Sequence, residues 1–284
     1  MQTPLEKVLN KNVQILSRIP LSGGDINAVF KVKTDKGIFC VKQNNRNRFP
    51  EMLKKEAKGL KALAENSKFH IPNVIGNYED DSSQHLVLDF IESGQKSPSF
   101  WKDFGTHLAQ MHQQTSDQFG WSEDNYIGSL HQSNKQHSNW ADFYTEERIL
   151  PQIQMAFNAK LIDAQLVESA ERLCSKLPDL FHKEAPALLH GDLWSGNFMV
   201  DAKGNPVLID PAVYYGHREM DLGMMQLFGG FSNELFEIYH EVFPLEKSWQ
   251  DRIQLTQLYP ILVHVNLFGG GYVRSAASII HQYC

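Results

Sequence analysis

The chain reads as an α+β protein of two lobes, a small β-rich lobe at residues 1–92 and a larger α-rich lobe at residues 93–284. Three observations carry this reading. The 284 residues are long for one ordinary domain and comfortable for two lobes sharing a cleft. Roughly the first 90 positions alternate apolar-and-basic runs with polar turns around a single helical stretch. After Ser93-Gly94 the apolar spacing becomes helical, interrupted by a loop and hairpin between Leu188 and Asp210.

Val13 to Lys42 has strand character. Val29-Phe30-Lys31-Val32-Lys33 and Ile38-Phe39-Cys40-Val41-Lys42 flank Asp35-Lys36-Gly37, a hairpin signature. Pro50 to Asn66 predicts a helix, with proline at its start and Leu53, Ala57, Leu60 and Leu63 at helical spacing. Val74 to Ile91 returns to strands, broken by the polar turn Glu79-Asp80-Asp81-Ser82-Ser83. Asp89 to Gly94 is the expected hinge. Helices are predicted over Ser99–Gln114, Asn139–Phe157 and Asp163–Leu177, then a hairpin turning at Lys203-Gly204-Asn205, then helices again from about Asp221.

Composition narrows the function classes. A hydrophobic fraction of 42% supports a real core, and 11% aromatic residues argue against disorder. Lys plus Arg number 27 against 33 Asp plus Glu, a net charge of −6, and no dense basic stripe exists, so nucleic acid is not an expected partner. Cys40, Cys174 and Cys284 are odd in number and widely spaced, which suggests neither a disulfide framework nor a zinc site. Met1 to Asn12 lacks an apolar signal core, and Tyr259 to Leu267 is too short to span a bilayer. A soluble cytoplasmic protein without membrane contact is expected; the oligomeric state is not legible.

The chemistry is concentrated in His190-Gly191-Asp192-Leu193-Trp194-Ser195-Gly196-Asn197, which matches the kinase catalytic-loop spacing H-x-D-x-x-x-x-N. Asp210 follows 18 residues after Asp192, behind the apolar run Val207-Leu208-Ile209. Phosphoryl transfer needs one carboxylate to accept or orient a hydroxyl proton. It needs a second carboxylate to hold Mg²⁺ against the phosphates of ATP, and an amide oxygen completes such a metal site. Asp192, Asp210 and Asn197 supply these three groups. A turn-capping Asp192 and a chance strand-ending Asp210 are the bland alternative to this motif taken alone.

Upstream, Lys42 ends a strand and Glu56 lies in the next helix, the order in which kinases pair a phosphate-binding lysine with a glutamate. An exposed, unrelated lysine and glutamate is the competing reading of this pair. Gly23-Gly24-Asp25-Ile26-Asn27 precedes the Lys42 strand by a hairpin, and its backbone N–H groups are expected to cover phosphates, although a plain β-turn reads equally well in isolation. Backbone groups of Asp89, Phe90 and Ile91 at the hinge are expected to meet the adenine.

Taken in order, Gly23 to Asn27, Trp140-Ala141-Asp142-Phe143-Tyr144, His190 to Asn197 and the block Asp210-Pro211-Ala212-Val213-Tyr214-Tyr215-Gly216-His217-Arg218-Glu219-Met220-Asp221-Leu222 resemble the fructosamine/ketosamine-3-kinase family, from about residue 5 to the C-terminus. The H-G-D element alone points to the wider aminoglycoside-phosphotransferase-like group; Trp194-Ser195 and the Asp210–Leu222 block narrow it. The resemblance implies a protein-kinase-like fold. It implies ATP- and Mg²⁺-dependent phosphorylation of the 3-hydroxyl of a ketosamine, such as a ribulosamine or fructosamine on a small amine or a protein lysine, in repair of glycated amines. It implies Asp192 as base, Asn197 and Asp210 as metal ligands, and Lys42 with Glu56 at the ATP phosphates. Some members carry cysteine in the glycine-rich loop; Asp25 stands there, so no redox switch is expected.

Departures from protein kinases bear on the substrate. Gly191 replaces the arginine that reads a loop phosphate, so control by loop phosphorylation is not expected. Pro211 follows Asp210, and ten residues before Asp221 leave no room for a peptide-docking loop. The substrate is then a small molecule or a small group on a protein. Trp194 and His217 are candidate substrate contacts, each weighed against packing or a plain polar surface role. Arg218, Glu219 and Asp221 read as structural, with Asp221 bonding the catalytic-loop backbone. Other acceptors of the same fold (an aminoglycoside, choline or homoserine) and a non-catalytic nucleotide-binding module are the alternatives.

Overall fold

The computed structural model describes residues 3–21 and 26–284 of the chain. It opens on a short helix α1 (Pro4–Leu9), capped by Thr3: its hydroxyl accepts from the Glu6 N–H while the Glu6 carboxylate accepts from the Thr3 N–H at 2.7 Å. Strands β1 (Ile15–Leu21), β2 (Ala28–Thr34) and β3 (Gly37–Asn45) follow, then helix α2 (Met52–Asn66) and strands β4 (Val74–Glu79) and β5 (Ser83–Asp89). They form one antiparallel sheet in the order β1-β2-β3-β5-β4. The β2–β3 hairpin turns through Asp35-Lys36, and Gly37 at φ +138° supplies a conformation that a side chain would strain.

The rest is helical apart from three two-stranded pairs. The order is α3 (Phe100–His112), a hairpin of β6 (Asn125–Ile127) and β7 (Leu130–Gln132), α4 (Trp140–Phe143), a π-helical turn Tyr144–Ile149, α5 (Leu150–Asn158) and α6 (Ala164–Leu180). Then come β8 (Ala187–Leu189), β9 (Phe198–Val200), β10 (Pro206–Leu208), β11 (Tyr214–Gly216), α7 (Glu219–Phe228), α8 (Asn233–Val242), α9 (Ile253–Phe268) and α10 (Gly271–Tyr283). β9 pairs with β10 around the expected Gly204 turn, where φ is +87°, and β8 pairs with β11. No helix among the described residues is long and apolar enough to cross a membrane.

Leu53, Ala57, Leu60 and Leu63 form the buried stripe of α2 that their spacing predicts. They belong to a core that continues through Leu86 and Leu88 of β5 into Phe104 and Leu108 of α3, and on to Leu188, Leu193 and Leu208. Burying each such leucine contributes roughly 1.5–3 kcal/mol. The helix bearing Glu56 therefore rests on the same apolar mass as the loop bearing Asp192. Gly59 lets α2 approach closely: a Cβ there would lie 3.2 Å from Val213 and 3.3 Å from Pro211. The segment Asp89–Gly94 is pinned at its end, where the Gly94 N–H donates to the Val200 carbonyl at 2.9 Å and a Cβ on Gly94 would collide with the Asp201 carbonyl.

α1, the β6–β7 pair and the β8–β11 pair lie outside the expected elements. α1 is short and covers a small core of Leu5, Val32, Phe39, Val41 and Val87. The β6–β7 strands are three residues each, too short for alternation to register. They are held by distant groups instead: Asn125 donates to the Val213 carbonyl at 2.8 Å and Gln132 to the Ala212 carbonyl at 3.2 Å.

Candidate active site

β3 is the third strand of five, and Lys42 projects from it toward α2. Its ammonium contacts the Glu56 carboxylate at 2.6 Å and also the Asp210 carboxylate. Lys42 is 4% exposed. Burial alone would depress the ammonium, but the Asp210 and Glu56 carboxylates outweigh it and hold its pKa above the ordinary value. Burial pushes the Glu56 carboxyl upward, with Lys42 opposing. The competing reading of an unrelated lysine and glutamate is thereby excluded.

The loop after β8 is shaped by His190 and Asp221. Buried Asp221 accepts from the His190 N–H at 2.8 Å and the Gly191 N–H at 3.0 Å, the structural role its position predicts. His190 Nε2 lies 2.9 Å from the Ile209 carbonyl and must donate to it. Its Nδ1 is then an acceptor and takes the Asp192 N–H at 3.3 Å. Burial keeps this ring's pKa low, so the neutral tautomer is fixed. Gly191 sits at φ +81°, and a Cβ would collide with the Ala212 carbonyl oxygen. No arginine fits where protein kinases carry one.

Asp192 accepts from the Asn197 amide at 3.0 Å through its carboxylate and at 2.8 Å through its carbonyl. Burial pushes its carboxyl up to about 7; the Asn197 hydrogen bond opposes this, while Asp210 and Asp221 add to it. The sequence required no such shift of a positioning carboxylate, and tertiary burial supplies it. Both donor hydrogens of Asn197 are directed at Asp192, which leaves Oδ1 as an acceptor. Asp210 follows β10 with φ +54°, a left-handed conformation tolerated by Asp and Asn better than by most residues. Asn197 Oδ1 and the Asp210 carboxylate are hard oxygen donors, the set that Mg²⁺ takes.

Two cavities meet here. One, of about 500 Å³, is walled by Val29, Cys40, Leu88, Phe90 and Ile91 and reaches Lys42 and Asp210. It has the apolar slot and polar end that a nucleotide requires. The Ile91 backbone N–H and carbonyl find no hydrogen-bond partner among the described residues. The Cys40 thiol faces this slot, pushed up to about 11 by burial. The second cavity, of about 400 Å³, lies on the other side of Asp192, between Ile127 and Gly128 of the β6–β7 hairpin and Phe228, His264 and Phe268 of α7 and α9. Trp194 lines both. Its indole lies over Gly196, where a Cβ would collide with it, and meets Phe228 edge-on at 6.1 Å.

Several expectations change. His217 reaches neither cavity: it is fully buried, 3.2 Å from the His182 carbonyl and packed on Phe181 and Trp140, so it is no substrate contact. It follows β11 directly and is enclosed by the aromatic rings of Trp140 and Phe181. The Asp89 carboxylate is occupied by Asn73, at 2.6 Å to its N–H and 2.8 Å to its amide. Gly23, Gly24 and Asp25 lie outside the described residues. Ile26 lines the second cavity, and Asn27 accepts from the Asn44 amide at 2.8 Å. Arg218 pairs with Glu184 at 2.7 Å, and Glu219 with Arg252 at 2.5 Å, away from the cleft. Trp140, Phe143 and Tyr144 are core aromatics, Trp140 stacking on Tyr144 at 5.0 Å. Sequence reasoning missed His112, whose Nε2 lies 3.2 Å from Asp221 and Nδ1 2.8 Å from the Tyr239 hydroxyl. The signal available was a histidine on the buried side of α3.

A family model described as fructosamine kinase matches residues 1–284. An Enterococcus faecium protein named as a probable ketoamine kinase is 37% identical over 269 residues, covering 93% of this chain and 94% of its own. The chloroplastic protein-ribulosamine 3-kinase of Arabidopsis thaliana is 38% identical over 278 residues, covering 96% and 84%. Among solved structures, a fructosamine-3-kinase candidate from Thermobifida fusca superposes with a TM-score of 0.87 at 32% identity, covering 98% of this chain and 96% of its own. A thermostable mutant of an aminoglycoside phosphotransferase, in complex with AMP-PNP and hygromycin B, superposes at 0.65 with 16% identity and 99% coverage of both chains, a likeness of fold alone.

Proposed function

The chain belongs to the fructosamine kinase family, and on that premise we propose that it transfers the terminal phosphoryl group of ATP to the 3-hydroxyl of a ketosamine. The observation that carries the residue assignment is the meeting of Lys42, Glu56, Asp192, Asn197 and Asp210 between a nucleotide-shaped slot and a second cavity.

In this reading the acceptor sugar enters the cavity flanked by Phe228 and His264 and presents its hydroxyl to Asp192. Asn197 fixes the Asp192 carboxylate through its amide, so the base is oriented before the substrate arrives. A carboxyl pushed up to about 7 is well matched to taking a proton near neutral pH. Mg²⁺-ATP, when bound, supplies the electrophilic phosphoryl group and neutralises its developing charge. Asn197 Oδ1 and Asp210 would hold the metal, and Lys42, kept charged by Glu56, would hold the phosphates.

Ketosamines are favoured over aminoglycosides by the charge of the second cavity. Among the described residues Asp192 is its only carboxylate, and the rest of the wall is largely apolar. A polycation would be desolvated there with too few partners. Free or protein-bound ketosamines both fit a cavity that is open to solvent. Three unpaired cysteines support a reducing compartment such as the cytoplasm.

The test is Mg²⁺-ATP turnover against ribulosamine, fructosamine and an aminoglycoside panel. Turnover of ketosamines is expected. Phosphorylation confined to aminoglycosides would overturn the substrate reading and leave the kinase reading standing.

A further inference from the structure

We propose that Arg48 forms an anion subsite at the mouth of the acceptor cavity and selects ketosamines bearing a negative charge, with a carboxylate on the amine-borne part as the favoured source. This rests on the ketosamine reading above. Among the described residues Arg48 is the only lysine or arginine lining that cavity, and Asp192 is the only acid. It makes no ion pair among the described residues, in contrast to Arg46, Lys54, Lys55 and Lys58 around it.

The side chain stems from a fixed turn. The Arg48 N–H donates to Asn45 Oδ1 at 2.9 Å, the Phe49 N–H donates to the Asn45 carbonyl at 3.0 Å, and the guanidinium lies 5.0 Å from the ring of buried Phe49. The Pro50 carbonyl accepts from the Tyr126 hydroxyl at 2.9 Å, which ties this turn to the β6–β7 hairpin forming the adjacent wall. Arg48 is thus exposed but anchored at its base.

The direction of the substrate follows from its covalent structure. With the 3-hydroxyl at Asp192, the amine nitrogen lies three bonds from C3, and its substituent passes through the rest of the cavity of about 400 Å³ toward its open mouth. That remainder is largely apolar, with Ser129 and His264 as its neutral polar groups and Arg48 as its one lysine or arginine among the described residues. A carboxylate beside the amine, as in a glycated α-amino acid, has only the amine's own ammonium to set against repulsion by Asp192. A guanidinium supplies the balance, with two parallel N–H donors for a planar anion. A phosphate on the terminal sugar carbon carries negative charge at the opposite end of the substrate.

The experiment compares three substrates with wild type, Arg48→Gln and Arg48→Lys: ribulosyl-glycine, its carboxamide isostere ribulosyl-glycinamide, which lacks the anion, and ribulosyl-glycinamide 5-phosphate. In wild type the KM for ribulosyl-glycine is expected to be below that for the amide. In Arg48→Gln the glycine-to-amide KM ratio should rise roughly five-fold, the size of a solvent-exposed ion pair, and Arg48→Lys should recover part of it. Added salt should narrow the wild-type difference. A ratio altered only for the 5-phosphate supports the subsite with phosphate as its anion. Glycine-to-amide and phosphate-to-amide ratios that are both identical in wild type and Arg48→Gln overturn the inference, while turnover of the amide preserves the kinase reading. Absence of turnover on all three overturns both.

Discussion

The Lys42 ammonium and the Asp210 carboxylate are in direct contact across 168 positions of chain. The contact joins the strand that holds Glu56's partner to a residue just beyond β10 whose backbone is left-handed, at φ +54°. Asp210→Asn keeps the φ tolerance and a hydrogen-bond acceptor for Lys42, so the fold should survive. Loss of the charge should lower turnover roughly 10²-fold or more and raise the Mg²⁺ concentration needed for half-maximal rate. Thermal denaturation and a Mg²⁺ titration at saturating ATP check both halves. An unchanged Mg²⁺ dependence would count against Asp210 as a metal ligand.

Asp192→Asn removes the proton acceptor and keeps the shape that Asn197 grips. Turnover is expected to drop roughly 10²–10⁴-fold while ATP affinity stays within a few-fold. Steady-state kinetics paired with ATP calorimetry would reveal this; near-normal turnover would disprove the base.

Gly191→Ala combines a strained φ with a collision at the Ala212 carbonyl. The αL strain alone is worth about 1–2 kcal/mol, and the collision adds to it. Urea unfolding should show a lower midpoint, with turnover reduced because Asp192 is the next residue. Stability equal to wild type would mean that the loop relaxes freely.

His112→Ala would leave Asp221 and the Tyr239 hydroxyl each short of a buried partner. A stability loss of roughly 2–4 kcal/mol is expected. His112→Gln, which can reach one of the two groups, should recover part of it. If both variants matched wild type in urea, the network would carry no stability.

Asp201 closes the β9–β10 turn. Burial would raise its carboxyl, but bonds from Asn205 (backbone and amide), His70 and Lys203 hold it down at about 2. The folded value lies below the ordinary carboxylate value of about 3.9, so its stabilisation is complete above that pH and is lost as pH falls toward 2. Asp201→Asn should therefore be destabilised by roughly 1 kcal/mol near neutrality. Its deficit relative to wild type should shrink between pH 4 and 2, and a deficit independent of pH would exclude the charge as its cause.

The chemistry was legible because catalytic loops are local. His190 to Asn197 is eight consecutive residues, and the turn itself brings Asn197 to Asp192. The α2 stripe and the β2–β3 hairpin were legible for the same reason, since periodicity and turn residues act over a few positions. The three-residue strands β6 and β7 were not, because distant carbonyls at Ala212 and Val213 stabilise them. His217 was misplaced because the groups that bury it, Trp140, Phe181 and the His182 carbonyl, are distant in the chain.

The sequence by itself determined the two element classes, the kinase motif and the family that Trp194-Ser195 and the Asp210–Leu222 block identify. Tertiary structure decided the rest. It set the neutral His190 tautomer, the raised Asp192 carboxyl, the absence of space at Gly191 and the sparse charge of the acceptor cavity. Each of these depends on burial and on electrostatic or steric contact between segments far apart in the chain, and such quantities exist only once the chain has closed on itself.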